Sequence, residues 1–247
     1  MKVFASLLLF CVSSVAFGQT SYFMPPNDLN LEDRMDSKGG ITQAQFNSVI
    51  ERAEKFYKPL IHDKFGAALT VNRKWTDNTV NADASQPSAT DWQVNMYGGL
   101  ARRAEVTEDG FAMVLCHEIG HHLGGYPYVQ DWAADEGQGD TYATGACATK
   151  VFAKVSPLLS AKAEADIPDA QKALCDKFHS PRDERDLCYR AVVAGKNLAD
   201  LLGALGGTTA NYDTPDTKVV TRTNHAHPAA QCRLDTYVAS AYCGSAK

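Results

Sequence analysis

The chain of 247 residues is 45% hydrophobic and 21% charged, with a formal net charge of −5. That length suits one large domain or two small ones, and no repeat array or low-complexity tract interrupts it. A net acidic chain offers nothing to attract nucleic acid or an anionic membrane surface.

Residues 1–18 read as an export signal. Lys2 precedes an apolar run, and Ala16-Phe17-Gly18 places small residues where a signal peptidase cuts before Gln19. A lipoprotein signal acylated on Cys11 is the rival reading, and the bulky Phe10 argues against it. The run is too short for a comfortable membrane span, and no later stretch offers about eighteen apolar residues. The mature protein is therefore expected to be exported, periplasmic or secreted, with no membrane span.

Residues 19–40, rich in Pro, Asn, Asp and Gly, read as an irregular N-terminal segment. Then Phe46, Val49, Ile50, Ala53, Phe56, Tyr57, Leu60 and Ile61 recur at three and four, which predicts a long helix with Thr42 as its N-cap. Between 68 and 99, ALTVNRKW, TVNADAS and DWQVNMYGG are short, β-prone and broken by turn residues. They predict three strands, expected to be antiparallel. From Thr107 the chain reads as helical almost to its end. Thr107 is an N-cap followed by Glu108 and Asp109, and Gly124, Gly125 and Pro127 close that helix. Further helices are expected at about 133–154, 158–178, 184–203 and 229–242, with a long loop before the last.

The helix after Thr107 carries CHEIGHHLGG, residues 116–125. Residues four apart share a helix face, so His117 and His121 can aim two imidazoles at one ion. Zinc takes neutral histidine nitrogens and accepts tetrahedral sites with one open position. Glu118 lies beside the pair, where a carboxylate can take the attacking water's proton and pass it to the leaving amine. The pattern that continues H-x-x-G-x-x-H fails here, because Pro127 stands at its last position. Glu136 and Asp140 in WAADEGQGDTYAT are four apart on the next expected helix. Glu136 can supply the third ligand, and Asp140 can accept the free N–H of a ligating histidine. Asp135 is the rival ligand. His122 points about 100° away from His121 and reads as a packing or surface residue. His62 and His179 read as structural.

Cys11 leaves with the signal, and Cys116, Cys147, Cys175, Cys188, Cys232 and Cys243 remain. An even count in an exported chain favours three disulfides. Cys175 with Cys188 is the favoured pair, because the turn HSPRDERD between them can return one helix against the next. Cys232 with Cys243 is disfavoured, because a straight helix would hold them about 16 Å apart.

HEIGH followed by EGQGD resembles the gluzincin zinc peptidases, and VNADA with HPAAQCRLDTY resembles the HtpX and CAAX-prenyl-protease group. The resemblance covers about residues 70–240. It implies a zincin-like α+β fold: a small antiparallel sheet, and a mostly helical remainder carrying the active-site helix, over a single domain at 41–247. It implies that WQVNMYGGL is the cleft edge, to which an extended substrate adds by β-pairing. It also places the H-P…R segment near the cleft, where His227 either donates to the oxyanion or only caps the last helix. His225 lies outside that match, and Tyr126, Tyr128 and Tyr237 are alternative donors. That group's known members are integral membrane proteins, whereas this chain has no spanning helices.

The resulting expectation is an exported zinc endopeptidase, one Zn2+ per chain, acting on a peptide or protein substrate, with a monomer favoured. The alternative is a non-catalytic, zinc-stabilised secreted binding protein on a peptidase scaffold. A third possibility is an enzyme whose segment 19–40 blocks its own cleft.

Overall fold

The computed structural model describes residues 20–33, 39–152 and 157–243. The expected signal at 1–18 lies outside them. The architecture is α+β: one four-stranded sheet and a mostly helical remainder.

The N-terminal segment opens with a short strand, β1 (Ser21–Tyr22), so it is not irregular throughout. Phe23 and Met24 follow directly and are fully buried in the core. Helix α1 (Gln43–Phe65) starts at Thr42, whose side chain accepts from Gln45 N while Gln45 reaches back to the Thr42 N–H. Two orphan donors of the first turn are thereby satisfied. The helix buries Phe46, Val49, Ile50, Ala53, Tyr57 and Ile61, but Phe56 stays 38% exposed.

Strands β2 (Ala68–Lys74), β3 (Ala82–Ser88) and β4 (Asp91–Tyr97) follow. The sheet order is β1-β3-β4-β2. β3 and β4 form an antiparallel pair, but β2 runs parallel to β4 with Val71 opposite Val94, so the sheet is mixed rather than antiparallel. The physical reason is the long connection out of β2: β3 intervenes in sequence, so β4 can return alongside β2 in the same direction. β4 is therefore an interior strand with partners on both sides, and the expectation that WQVNMYGGL forms the cleft edge is corrected. The outer side of β3 is already occupied by β1, with Ser21 opposite Ala84 and Tyr22 opposite Asp83.

A short turn of helix, α2 (Gly98–Ala101), leads to α3 (Glu108–Leu123). Thr107 caps α3 by accepting from Gly110 N. Every residue of α3 from Asp109 to His121 is buried, which marks a central helix rather than an amphipathic surface one. Its first turn is held by a buried ion pair, Asp109 with Arg190, at 2.6 Å. Next come α4 (Glu136–Tyr142), one π-helical turn at Ala143–Cys147, and α5 (Ala148–Val151). The π turn brings Cys147 against α3, where it bonds to Cys116.

The stretch expected as one helix at 158–178 is two, α6 (Pro157–Asp166) and α7 (Asp169–Phe178), parted at Pro168, which cannot donate to the helix ladder. Helix α8 (Arg182–Gly206) runs past the expected end at 203, and α9 (Ala230–Cys243) closes the described chain. Cys175 and Cys188 tie α7 to α8. Cys232 and Cys243 are free, so two disulfides stand among the described residues instead of three. Both free cysteines lie on α9, which cannot bring its own ends together.

Candidate metal centre

Helix α3 presents His117 and His121 one turn apart, with ring centroids 4.7 Å apart and planes at 89°. Helix α4 crosses α3 closely enough to add Glu136. That crossing needs glycine: a Cβ on Gly139 would lie 2.8 Å from the His117 ring, and one on Gly120 would lie 2.9 Å from Gly139 Cα. The donor atoms of His117, His121 and Glu136 all lie within 4.8 Å of one another. His117 Nε2 stands 3.2 Å from Glu136 Oε2, and His121 Nε2 stands 3.7 Å from Glu136 Oε1.

The other ring nitrogens are held from behind. Nδ1 of His117 is 2.9 Å from Asp140 Oδ1, and Nδ1 of His121 is 2.8 Å from the Ala134 carbonyl. These contacts fix each ring with Nε2 facing Glu136. Nε2 of both histidines, Oε2 of Glu136 and both oxygens of Glu118 are buried without a hydrogen-bond partner. A native core does not leave such atoms without something to satisfy them, and those of His117, His121 and Glu136 belong to one donor cluster. A divalent cation could do so for the two nitrogens and the Glu136 carboxylate. Two imidazoles and one carboxylate are a zinc-type donor set, with a fourth position left for water or substrate.

The titratable groups of the cluster are pushed in different directions. Burial and the Arg233 charge push His117 down, but the Asp140 and Glu136 carboxylates outweigh them and lift it to about 9. Burial holds His121 down at about 3, helped by the charge of His117. Burial raises the Glu136 carboxyl, but the contact with His117 and the charges around it bring it below its usual value. Glu118 goes the other way: burial, with Glu136 and Asp83 nearby, pushes its carboxyl well above the ordinary range. A cation beside Glu118 would lower it toward the range a general base needs.

Asp140 is the hub behind the donor cluster. Arg233 of α9 donates to it from Nε at 2.9 Å and from Nη2 at 2.6 Å, and Nη1 donates to the Phe23 carbonyl at 2.6 Å. Arg233 and Asp140 are almost fully buried, and Arg233 keeps Asp140 ionised. The H-P…R spacing singled out Arg233 but assigned it no contact. Its partner is a chain-distant carboxylate that no local pattern reveals.

Asp135 is not in the donor cluster; it precedes α4 and faces His225 at 2.7 Å. His225 is therefore part of the site's surroundings, although it lies outside the H-P…R match. His227 Nε2 donates to the Tyr22 carbonyl at 2.8 Å and lies 3.5 Å from Glu136 Oε1. His122 is stacked between Trp92 and Trp132, and burial lowers it to about 4. His62 is exposed beside Asp63, and His179 contacts the Ala241 carbonyl, both away from the cluster. Tyr126 is 81% exposed, while Tyr237 is buried beside Arg233.

Comparison with curated proteins finds no match, and comparison with solved structures finds none either. A family model does match, over residues 10–166: the reprolysin-like metallopeptidases of family M12B. That stretch includes His117, His121, Glu136 and Asp140 but stops before His227 and Arg233. The match supports a zinc metallopeptidase and does not support the HtpX and CAAX-prenyl-protease group to which VNADA and HPAAQCRLDTY pointed. With nearly two thirds of its length matched, the chain belongs to the reprolysin-like M12B metallopeptidase family.

Proposed function

We propose that the protein is an exported zinc endopeptidase of the gluzincin ligand type. His117, His121 and Glu136 would hold the metal, Asp140 would orient His117, and Glu118 would act as general base. The observation that carries this reading is the donor cluster itself: Nε2 of His117, Nε2 of His121 and Oε2 of Glu136 are buried without a hydrogen-bond partner, and the three residues offer ligand atoms within 4.8 Å of one another. Export rests on the signal-like residues 1–18 and agrees with two disulfides. No helix among the described residues is long and apolar enough to cross a membrane. On this reading residues 41–247 are a zincin-like domain, and β1 adds to its sheet from outside that range.

Zinc, when bound, supplies Lewis acidity that favours ionisation of water and polarises the scissile carbonyl. Glu118 takes one proton from the attacking water as the new C–O bond forms. It returns that proton to the amide nitrogen as the C–N bond breaks, and the water's second proton passes from the new carboxyl group to the amine, so the products are a carboxylate and an ammonium. His227 can exchange the Tyr22 carbonyl for the developing oxyanion, because its Nε2 is already a donor facing the Glu136 side. The substrate is a peptide or protein; nucleic acid is not a partner, and a monomer is the working assembly.

The second reading, a non-catalytic zinc-stabilised binding protein, draws on the complete burial of His117, Glu118 and His121. A closed structural site has four protein ligands, and the cluster among the described residues has three. Digestion of a peptide library by the wild type and by Glu118→Gln, at matched zinc content, separates the two readings. Cleavage lost in Glu118→Gln supports the peptidase; no cleavage by either protein supports the binding protein.

A further inference from the structure

We infer that the N-terminal segment Ser21–Met24 is a built wall of the metal centre, with Phe23 the positioning residue that sets the plane of Arg233. This rests on the reading of His117 as a metal ligand. The segment is seated in the fold rather than laid over it. Phe23 N donates to the Ala82 carbonyl at 3.0 Å, and Asn81 holds Met24 by both its N–H and its C=O. Three consecutive residues then touch the site. Ser21 Oγ is 3.4 Å from His121 Nδ1, the Tyr22 carbonyl accepts from His227, and the Phe23 carbonyl accepts from Arg233.

Phe23 grips the guanidinium twice. Its carbonyl takes Nη1, and its ring lies under the guanidinium carbon at 4.3 Å. The same ring meets the His117 ring edge-on at 5.3 Å. A carbonyl and a ring face together fix both the position and the plane of a planar fork.

That plane matters because Arg233 Nη2 stands 3.1 Å from His117 Nδ1 as well as 2.6 Å from Asp140 Oδ1. If Nη2 donated to Nδ1, a neutral His117 would carry its proton on Nε2, where it would block a metal. With the fork aimed at Asp140, Nδ1 keeps the proton, donates to Asp140, and leaves the Nε2 lone pair free. Phe23 thus selects the metal-binding tautomer of a histidine it does not hydrogen-bond.

The test uses the full chain with Phe23→Leu, which preserves burial and the backbone carbonyl but removes the ring face. A second variant deletes residues 20–24. Zinc affinity is read by chelator competition, stability by the Tm of the metal-free protein, and the tautomer by nitrogen NMR of the metal-free imidazoles, followed with pH until the neutral form of each ring is observed. For Phe23→Leu the expected result is a loss of about 10-fold or more in zinc affinity, with Tm nearly held and a shift toward the Nε2–H form. For the deletion the expected result is loss of zinc, restored by adding the peptide SYFMPP in trans. Unchanged zinc affinity and tautomer in Phe23→Leu would overturn the inference. So would a deletion that raises peptidase activity, which would make the segment a self-inhibitor. If the deletion does not fold, Phe23→Leu decides alone. If the wild type holds no zinc, the proposed function fails, while the tautomer measurement still tests the role of Phe23.

Discussion

Asp140→Asn should damage the protein in two separable ways. Asp140 accepts three charge-assisted contacts: from Arg233 Nε at 2.9 Å, from Arg233 Nη2 at 2.6 Å and from His117 Nδ1 at 2.9 Å. Asparagine offers one acceptor oxygen, and its amide N–H2 must face one of those donors. The buried guanidinium then lacks its counter-charge, a change that costs about 3–5 kcal/mol when one partner of a buried pair is removed. His117 also loses a firm acceptor, which should lower zinc affinity by about 10–100-fold. Pairing Asp140→Leu with Arg233→Met separates the two effects. An apolar replacement of both charges is often neutral or better for stability, so most of the loss should return. The shortfall is about 1–3 kcal/mol for a Phe23 carbonyl left without its donor. Zinc affinity should stay low, because no carboxylate faces His117 Nδ1. Urea unfolding of the metal-free proteins measures the first effect and chelator competition the second. A double variant that binds zinc like the wild type would refute the role given to Asp140.

Glu118→Gln should keep zinc and fold while the cleavage rate falls by about 10²–10⁴, because the amide cannot take a proton; a wild-type rate at full zinc occupancy would exclude Glu118 as the base. Glu136→Ala should lower zinc content after dialysis against a chelator far more than Asp135→Ala, since only Glu136 stands in the donor cluster; equal losses would remove the third ligand. His227→Ala should reduce the chemical rate by about 10²–10³ with substrate binding held if His227 serves the oxyanion; a loss of stability alone would leave it as a tie to the Tyr22 carbonyl. Replacing Cys116 and Cys147 with alanine opens a bridge spanning 31 residues, so chemical denaturation should show a loss of about 3–4 kcal/mol; no loss would mean that the bridge is not formed.

The local parts of this site were legible in the chain and the distant parts were not. Histidines four apart on a capped, acid-led helix determine their own geometry, so His117, His121 and the Thr107 cap could be placed directly. Glu136 and Asp140 were legible for the same reason, as two carboxylates one turn apart. What escaped is tertiary. The Phe23 carbonyl and Arg233 are 210 residues apart in sequence, and neither side of that contact carries a periodic signal. Strand β1 is two residues long, below what alternation can reveal. The parallel pairing of β2 with β4 escaped because strand patterns carry no direction, and with it went the assignment of the cleft edge. The break at Pro168 was different: the proline is a readable stop signal that helical periodicity on either side overrode. The third disulfide was a matter of parity, and parity says nothing of whether two cysteines share one straight helix.

His117, His121 and Glu136 are proposed to hold a catalytic zinc. X-ray absorption at the zinc edge, on protein purified without added metal, tests it most directly. The account predicts about one zinc per chain, bound by two imidazole nitrogens, carboxylate oxygen and one further light atom at about 2.0–2.2 Å. It also predicts that the histidine signal collapses in His117→Ala. No zinc, a sulfur-coordinated zinc, or a spectrum unchanged in His117→Ala would contradict it.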